Sequence, residues 1–417
     1  MNTFTVIFLL ALAAGTLLRW WLAARQLKSV AGHRDRVPED FSESISLETH
    51  QHAADYTAVR TRMGMLEIGA SALLLLVWTV GGGIDLLNGA WAASGLPPLL
   101  AGTGLLLSAF LIMGLLEMPF DAYRTFVIEE RFGFNRTSPR LFLTDTVKQA
   151  VLLVVIGAPI VALVLWLMAH AGDRWWLYVW IVWMAFSLAL TWAYPAVIAP
   201  LFNKFVPLDD DALKARIESL LERNGFASQG IFVVDGSKRS GHGNAYFTGL
   251  GNNKRIVFFD TLLRQLDPEE IEAVLAHEVG HFKRKHIAKR IGLMAIVSLA
   301  GLMLLGWLVG APWFYAGLGV TEPSLAVALL LFLLVLPTFT VFVQPLMSWL
   351  SRRHEFEADE FAARQADAGK LVEALVKLYK ENANTLTPDP LYSAFHDSHP
   401  PAPVRIAHLR TKQMPAS

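Results

Sequence analysis

The 417-residue chain is 54% hydrophobic and 17% charged, against about 25% charged residues in soluble domains, so it reads as a membrane protein. Its 36 basic and 36 acidic residues balance to a net charge of +0, which excludes a global field that recruits nucleic acid. It has no cysteine, which excludes disulfides, thiolate metal sites and cysteine nucleophiles and leaves His, Asp and Glu as metal ligands.

A helix needs about 20 apolar residues to cross a bilayer. Runs of that kind predict seven spans, near 4–24, 66–90, 98–118, 149–170, 175–200, 291–312 and 325–349. The first lacks the basic start and the A-x-A site of a signal peptide, so it is expected to be a retained span. Arg19 with Trp20 and Trp21 reads as an interface anchor. Pro195 and Pro200 are expected to end or kink the fifth span. Glu67, Glu117 and Asp121 lie in or beside spans, where acids are by default functional candidates, and Glu117 and Asp121 have the alternative reading of partners for Arg124. The segment after the first span carries Arg25, Lys28, Arg34, Arg36, Arg60 and Arg62. The segment after the third carries Arg124, Arg131, Arg136, Arg140 and Lys148. No Lys or Arg follows the second or sixth span, and only Arg174 follows the fourth. The positive-inside rule then puts the N-terminus outside, and puts the loops after spans one, three, five and seven in the cytoplasm.

Four regions follow: a transmembrane region at 1–200, a cytoplasmic segment at 201–290 that carries the stretch "HEVGH", spans six and seven at 291–350, and a C-terminal cytoplasmic segment at 351–417. In the second region 209–226 has helical spacing, 230–236 and 254–263 read as strands, and 244–249 reads as an edge strand. A helix is expected over 267–286, with Asp267 as N-cap, Pro268 at its first position and Glu269 and Glu270 in its first turn. In the fourth region "RRHEFEADEFAARQ" is a further helix, and 384–405 is a proline-rich loop.

The stretch "HEVGH" puts His277 and His281 four residues apart on one helical face, the spacing that lets two imidazoles bind one zinc ion at about 2.0–2.1 Å. Glu278 lies beside them as the general base that takes a proton from water. A zinc hydrolase takes three protein ligands. The longer pattern with a third histidine is absent, because Ile287 occupies that position, and His286 is read as facing the opposite side of the helix. Glu355 and Asp359 share a helical face; one can bind the metal and the other can hold a ligand histidine by its ring N–H. Spacing leaves open which does which. Glu357 lies on the other side of that helix.

Beyond these residues, "PFDAYRTFVIEERFGFNR", "YPAVIAPLFNKFVPL", "DGSKRSGHGNAYFTG", "LAHEVGHFKRKH", "SRRHEFEADEFA" and "DPLYSAFHDSHPPAPVRI" carry a resemblance that covers most of the chain. It resembles the type I CAAX prenyl proteases, integral-membrane zinc metalloendopeptidases that remove the C-terminal tripeptide of prenylated proteins. The resemblance implies an α-helical multi-pass protein whose seven membrane helices enclose a chamber, with a cytoplasmic α+β zinc protease domain. It implies one Zn²⁺ per chain, Glu355 as third ligand and Asp359 behind the ligands. It also implies that Asn244, Ala245 and Tyr246 bind substrate backbone, that His399 stabilises the tetrahedral intermediate, and that Arg405 contacts substrate or the acidic helix. The expected partners are a peptide or lipidated-protein substrate and the lipid bilayer, with no nucleic acid. The alanine- and tryptophan-rich composition suggests a bacterial inner membrane, and from the loop charges the active site is expected toward the cytoplasm. Two other readings compete. A heat-shock-type membrane quality-control protease has fewer spans than the seven here. A transporter or receptor with a structural metal site fits poorly with an intact Glu278, with long folded loops and without paired broken half-helices.

Overall fold

A computed structural model describes residues 2–226, 230–248 and 255–413. The first two helices run well past their apolar stretches. α1 (Thr3–Gly32) starts at an Asn2 capping box, and α2 (Leu47–Trp78) starts at Ser46, whose side chain accepts from the Thr49 N–H. Arg25 and Lys28 therefore sit on α1, and Arg60 and Arg62 on α2, rather than in a loop. The second span predicted at 66–90 is corrected: the helix stops at Trp78, because Gly81, Gly82 and Gly83 follow and Gly82 takes a φ of 79° that other residues resist. The remainder forms a separate α3 (Gly83–Ala92).

α4 (Pro98–Tyr123) runs on through a π-helical stretch, Arg124–Glu129. α5 (Pro139–His170) is capped by Ser138. α6 (Trp175–Ala193) passes into a π-helical turn, Tyr194–Ile198, and a short α7 (Ala199–Phe202). Pro195 and Pro200 thus distort the fifth span, as their missing N–H groups require.

Next, β1 (Phe205–Pro207), α8 (Asp211–Arg223), β2 (Ile231–Val234), β3 (Ala245–Thr248), β4 (Arg255–Phe259), α9 (Asp260–Gln265) and α10 (Pro268–Lys283) build a small α+β unit. The strand order is β1-β2-β4-β3; β2 and β4 are parallel, the other pairs antiparallel. β1 escaped the sequence reading because three residues carry no periodicity. Gly249 and Lys254, at the ends of the predicted strands, lie outside the described residues. One apolar core joins sheet and helices: Ile217 and Leu220 of α8, Ile256 and Phe258 of β4, and Leu275 and Val279 of α10.

The helix predicted over 267–286 ends at Lys283. Lys285 turns the chain with a φ of 57°, and α11 (His286–Leu308) starts afresh. After α12 (Pro312–Gly317) comes the most buried span, α13 (Leu325–Thr340), which has every residue from Ala326 to Phe332 in the core. A 3₁₀ turn, Val341–Val343, joins it to α14 (Gln344–Gln365), so one helical run of 41 residues spans and then extends. α15 (Ala368–Glu381) and α17 (Ala402–Gln413) pack on α14, and α16 (Pro390–His396) lies within the segment expected to be a loop. α16 forms because Asp389 caps the Leu391 and Tyr392 N–H groups and Pro390 occupies the first position. Among the described residues seven helical runs are long and apolar enough to cross a membrane.

Candidate metal centre

α10 begins with a capping box between Asp267 and Glu270, which fixes the phase of everything after it. Its apolar face, Ile271, Leu275 and Val279, binds the sheet core and turns His277 and His281 toward α14. Gly280 makes the approach possible. A Cβ there would lie 3.1 Å from both the Cα and the carbonyl oxygen of Ala358. The two helices touch backbone to backbone at that point, one turn from Glu355 and next to Asp359.

The contact closes a three-residue cluster. His277 Nε2 and His281 Nε2 are 3.2 Å apart. His277 Nε2 is 3.3 Å from Glu355 Oε2, and His281 Nε2 is 3.4 Å from Glu355 Oε1. Two ligands about 2.05 Å from a tetrahedral ion are separated by about 3.3 Å, so all three edges match such a site. Glu355 Oε2 is buried and accepts no hydrogen bond among the described residues, an orphan that a cation between the three would satisfy. Spacing left Glu355 and Asp359 interchangeable; here Glu355 meets both histidines and Asp359 lies behind one of them.

Asp359 is fully buried, 2.8 Å from His277 Nδ1 through its Oδ1. Arg405 grips it with both arms, Nε to Oδ2 at 2.8 Å and Nη2 to Oδ1 at 2.5 Å. Arg405 Nη2 and His277 Nδ1, 3.2 Å apart, are therefore two donors sharing one acceptor. At 9% exposure Arg405, on α17, lies behind the cluster and meets the acidic helix through Asp359, one of the two contacts expected of it. Burial and the Arg405 charge both push the His277 imidazole down, yet Asp359 and Glu355 outweigh them and hold it up at about 9. Burial pushes His281 down to about 3. The carboxylates thus favour positive charge in the space they share with His277, and burial favours the neutral form of His281, the form that metal binding requires of both imidazoles.

His286 was missed. It was read as lying on the far side of one long helix. The turn at Lys285 instead brings its Nδ1 to 3.0 Å from His281 Nδ1, and its Nε2 to 3.1 Å from Glu357 Oε2. No local periodicity reports a turn of that kind.

Glu278 is half-buried and accepts no hydrogen bond from another side chain among the described residues. Burial raises its carboxyl above the ordinary range, and Glu355 adds to this against His277 and Arg405. A carboxylate raised in this way and lacking a partner is suited to accept a proton. His399, in the turn between α16 and α17, is exposed, with Nε2 3.4 Å from Glu355 Oε1. Ser398 Oγ lies 3.0 Å from its Nδ1. The turn thus spans the long sequence distance back to the cluster.

Asn244 precedes the outer strand β3, which carries Ala245 and Tyr246 and has no strand on its outer edge among the described residues. The Asn244 carbonyl accepts from the Phe259 N–H, which anchors the strand's start to β4. His399 also lines a cavity of about 600 Å³, with Tyr56, Arg60 and Tyr392. A second, apolar cavity of about 1030 Å³ lies among Leu12, Trp78, Met113 and Leu334. Arg19 lines both cavities. Arg124 pairs with Glu67 and lies 3.9 Å from Asp121, while Glu117 lines the apolar cavity.

Residues 26–204 match the family described as CAAX prenyl protease N-terminal, five membrane helices, and residues 207–413 match Peptidase family M48. The chain is 33% identical to the human CAAX prenyl protease 1 homolog, over 94% of this chain and 92% of that protein. It is 40% identical to the Arabidopsis thaliana CAAX prenyl protease 1 homolog, over 70% of this chain and 69% of that one. The crystal structure of S. mikatae Ste24p superposes with a TM-score of 0.89 at 30% identity, covering 98% of this chain and 99% of that one. With a seven-helix membrane part, a histidine–glutamate metal cluster and similarity along nearly its whole length, the chain belongs to the CAAX prenyl protease 1 family of membrane metallopeptidases.

Proposed function

We propose that this metallopeptidase binds one Zn²⁺ through His277, His281 and Glu355, and cuts peptide bonds near the C-terminus of prenylated CAAX-type or other membrane-associated peptides. The observation that carries the reading is the trio of ligand atoms 3.2–3.4 Å apart with Glu278 beside them. Two imidazoles and a carboxylate, with no thiol in the chain, suit zinc in an open catalytic site. When bound, zinc supplies Lewis-acid polarisation and lowers the pKa of water.

The chain's own groups do the rest. Glu278 takes the proton of the attacking water and passes it to the leaving amine. His399 donates to the oxygen that gains charge as the carbonyl becomes tetrahedral. Asn244, Ala245 and Tyr246 take the substrate backbone as an added strand on the edge of β3. The two cavities give an extended peptide and an apolar chain separate room. Relatives named CAAX prenyl protease 1 support the substrate class. The distribution of Lys and Arg supports an active site facing the cytoplasm, and composition supports a bacterial inner membrane.

The test is Glu278→Gln in detergent-purified protein, assayed on a farnesylated C-terminal peptide with zinc counted by elemental analysis. Turnover should fall by about 10²–10⁴-fold with zinc retained, since Glu278 is no ligand. Lost zinc, or near-normal turnover, would sink the assignment.

A further inference from the structure

We infer that His286 and Glu357 form a positioning chain for His281: Glu357 holds His286, and His286 holds His281 in the tautomer that leaves Nε2 free to bind the metal. This rests on the metal-site reading above and adds residues that reading does not use.

The proton positions follow from the geometry. His281 Nε2 points at His277 Nε2 and at Glu355 Oε1. To ligate it must carry no proton, so the proton of a neutral ring sits on Nδ1. That nitrogen is 3.0 Å from His286 Nδ1, and two nitrogens at this distance share one proton. His286 Nδ1 is then the acceptor, and its own proton sits on Nε2, 3.1 Å from Glu357 Oε2. Read from the other end the answer is the same, because an ionised carboxylate only accepts. Arg353 Nε at 3.3 Å and Lys289 Nζ at 3.7 Å face Glu357 and keep it ionised.

The chain is also built rigidly. His286 is 4% exposed, and its ring stacks on His354 with centroids 4.1 Å apart and planes at 13°. The left-handed turn at Lys285, φ 57°, starts α11 so that His286 returns to His281. A non-glycine residue resists that conformation, so the surrounding packing must hold it there. The two ligand histidines are thus each held by the ring nitrogen away from the metal, His277 directly by Asp359 and His281 through His286. The plainer alternative is that His286 and Glu357 only tie α11 to α14.

The experiment separates the two with full-length protein in detergent, stripped of metal and titrated with Zn²⁺ against a chromophoric chelator. Wild-type protein that fails to bind zinc would overturn the metal-site reading itself. If it binds, His286→Ala should weaken zinc by about 10–100-fold, and Glu357→Ala by a smaller factor. Glu357→Gln, whose carbonyl still accepts from Nε2–H, should recover most of that loss. The double variant should bind zinc no worse than His286→Ala, because Glu357 then has nothing left to hold. Losses that multiply, or unchanged zinc affinity in His286→Ala, would leave only the structural tie and overturn the proposal. Should His286→Ala fail to fold, the comparison of Glu357→Ala with Glu357→Gln decides alone: equal zinc affinities overturn it.

Discussion

Replacing Asp359 with alanine should weaken zinc binding by about 100–1,000-fold, and removing Arg405 from the same molecule should restore part of the loss. Asp359 Oδ1 accepts from His277 Nδ1 at 2.8 Å, and loss of such a partner costs about 10–100-fold in metal affinity. The substitution also frees Arg405, which is nearly buried and only 4.0 Å from Glu355 Oε2. At 4 Å and an effective dielectric constant of 20, two opposite charges attract by about 4 kcal/mol. Part of that attraction would set the guanidinium against the cation for Glu355. About 1.4 kcal/mol of it is enough for a further tenfold. In the double variant the competitor is gone, so the loss should return to about 10–100-fold. Arg405→Ala alone keeps the Asp359–His277 contact, so zinc affinity should change by less than about 10-fold. The same variant leaves the fully buried Asp359 carboxylate with His277 as its remaining partner, and loss of the charge-assisted bonds from Arg405 should cost about 1.5–3 kcal/mol of metal-free stability. Chelator competition reads the first quantity, and unfolding of the stripped protein in detergent reads the second. A double variant that binds zinc no better than Asp359→Ala would refute the competing role of Arg405. So would an Arg405→Ala variant that loses zinc as strongly as Asp359→Ala.

Glu355→Ala removes one of three ligands and should lose zinc far more completely than Glu357→Ala; the reverse order in the same titration would mean the wrong carboxylate has been assigned. His399→Ala should lower kcat by about 10²–10³-fold with zinc occupancy and KM little changed, the pattern of an interaction made only in the transition state. Loss of zinc in that variant would make His399 a ligand, and a rise in KM alone would make it a substrate contact. Gly280→Ala places a Cβ 3.1 Å from the Ala358 backbone and should destabilise the protein by about 1–3 kcal/mol while loosening zinc. Unaltered stability and affinity would show that the two helices yield at no cost.

The sequence by itself determined what local chemistry dictates. Runs of about 20 apolar residues made seven spans, because bilayer thickness leaves no other solution for such segments. Helical period put His277 and His281 on one face and Glu355 and Asp359 on another, and Asp267 with Pro268 marked where the first of those helices starts. Span ends were less legible, since a helix continues into polar sequence as long as nothing breaks it, as α1 and α2 do. Only the tertiary structure decided which face meets which. Glu355 follows His281 by 355 − 281 = 74 residues, and no periodicity spans that gap. The meeting depends on Gly280 lying flat against Ala358, on α14 continuing from the buried span α13, and on a turn at Lys285 that returns His286 to His281. Each of these is a contact between surfaces remote in sequence, and the energy of close packing, unlike helical period, is defined only once both surfaces are present.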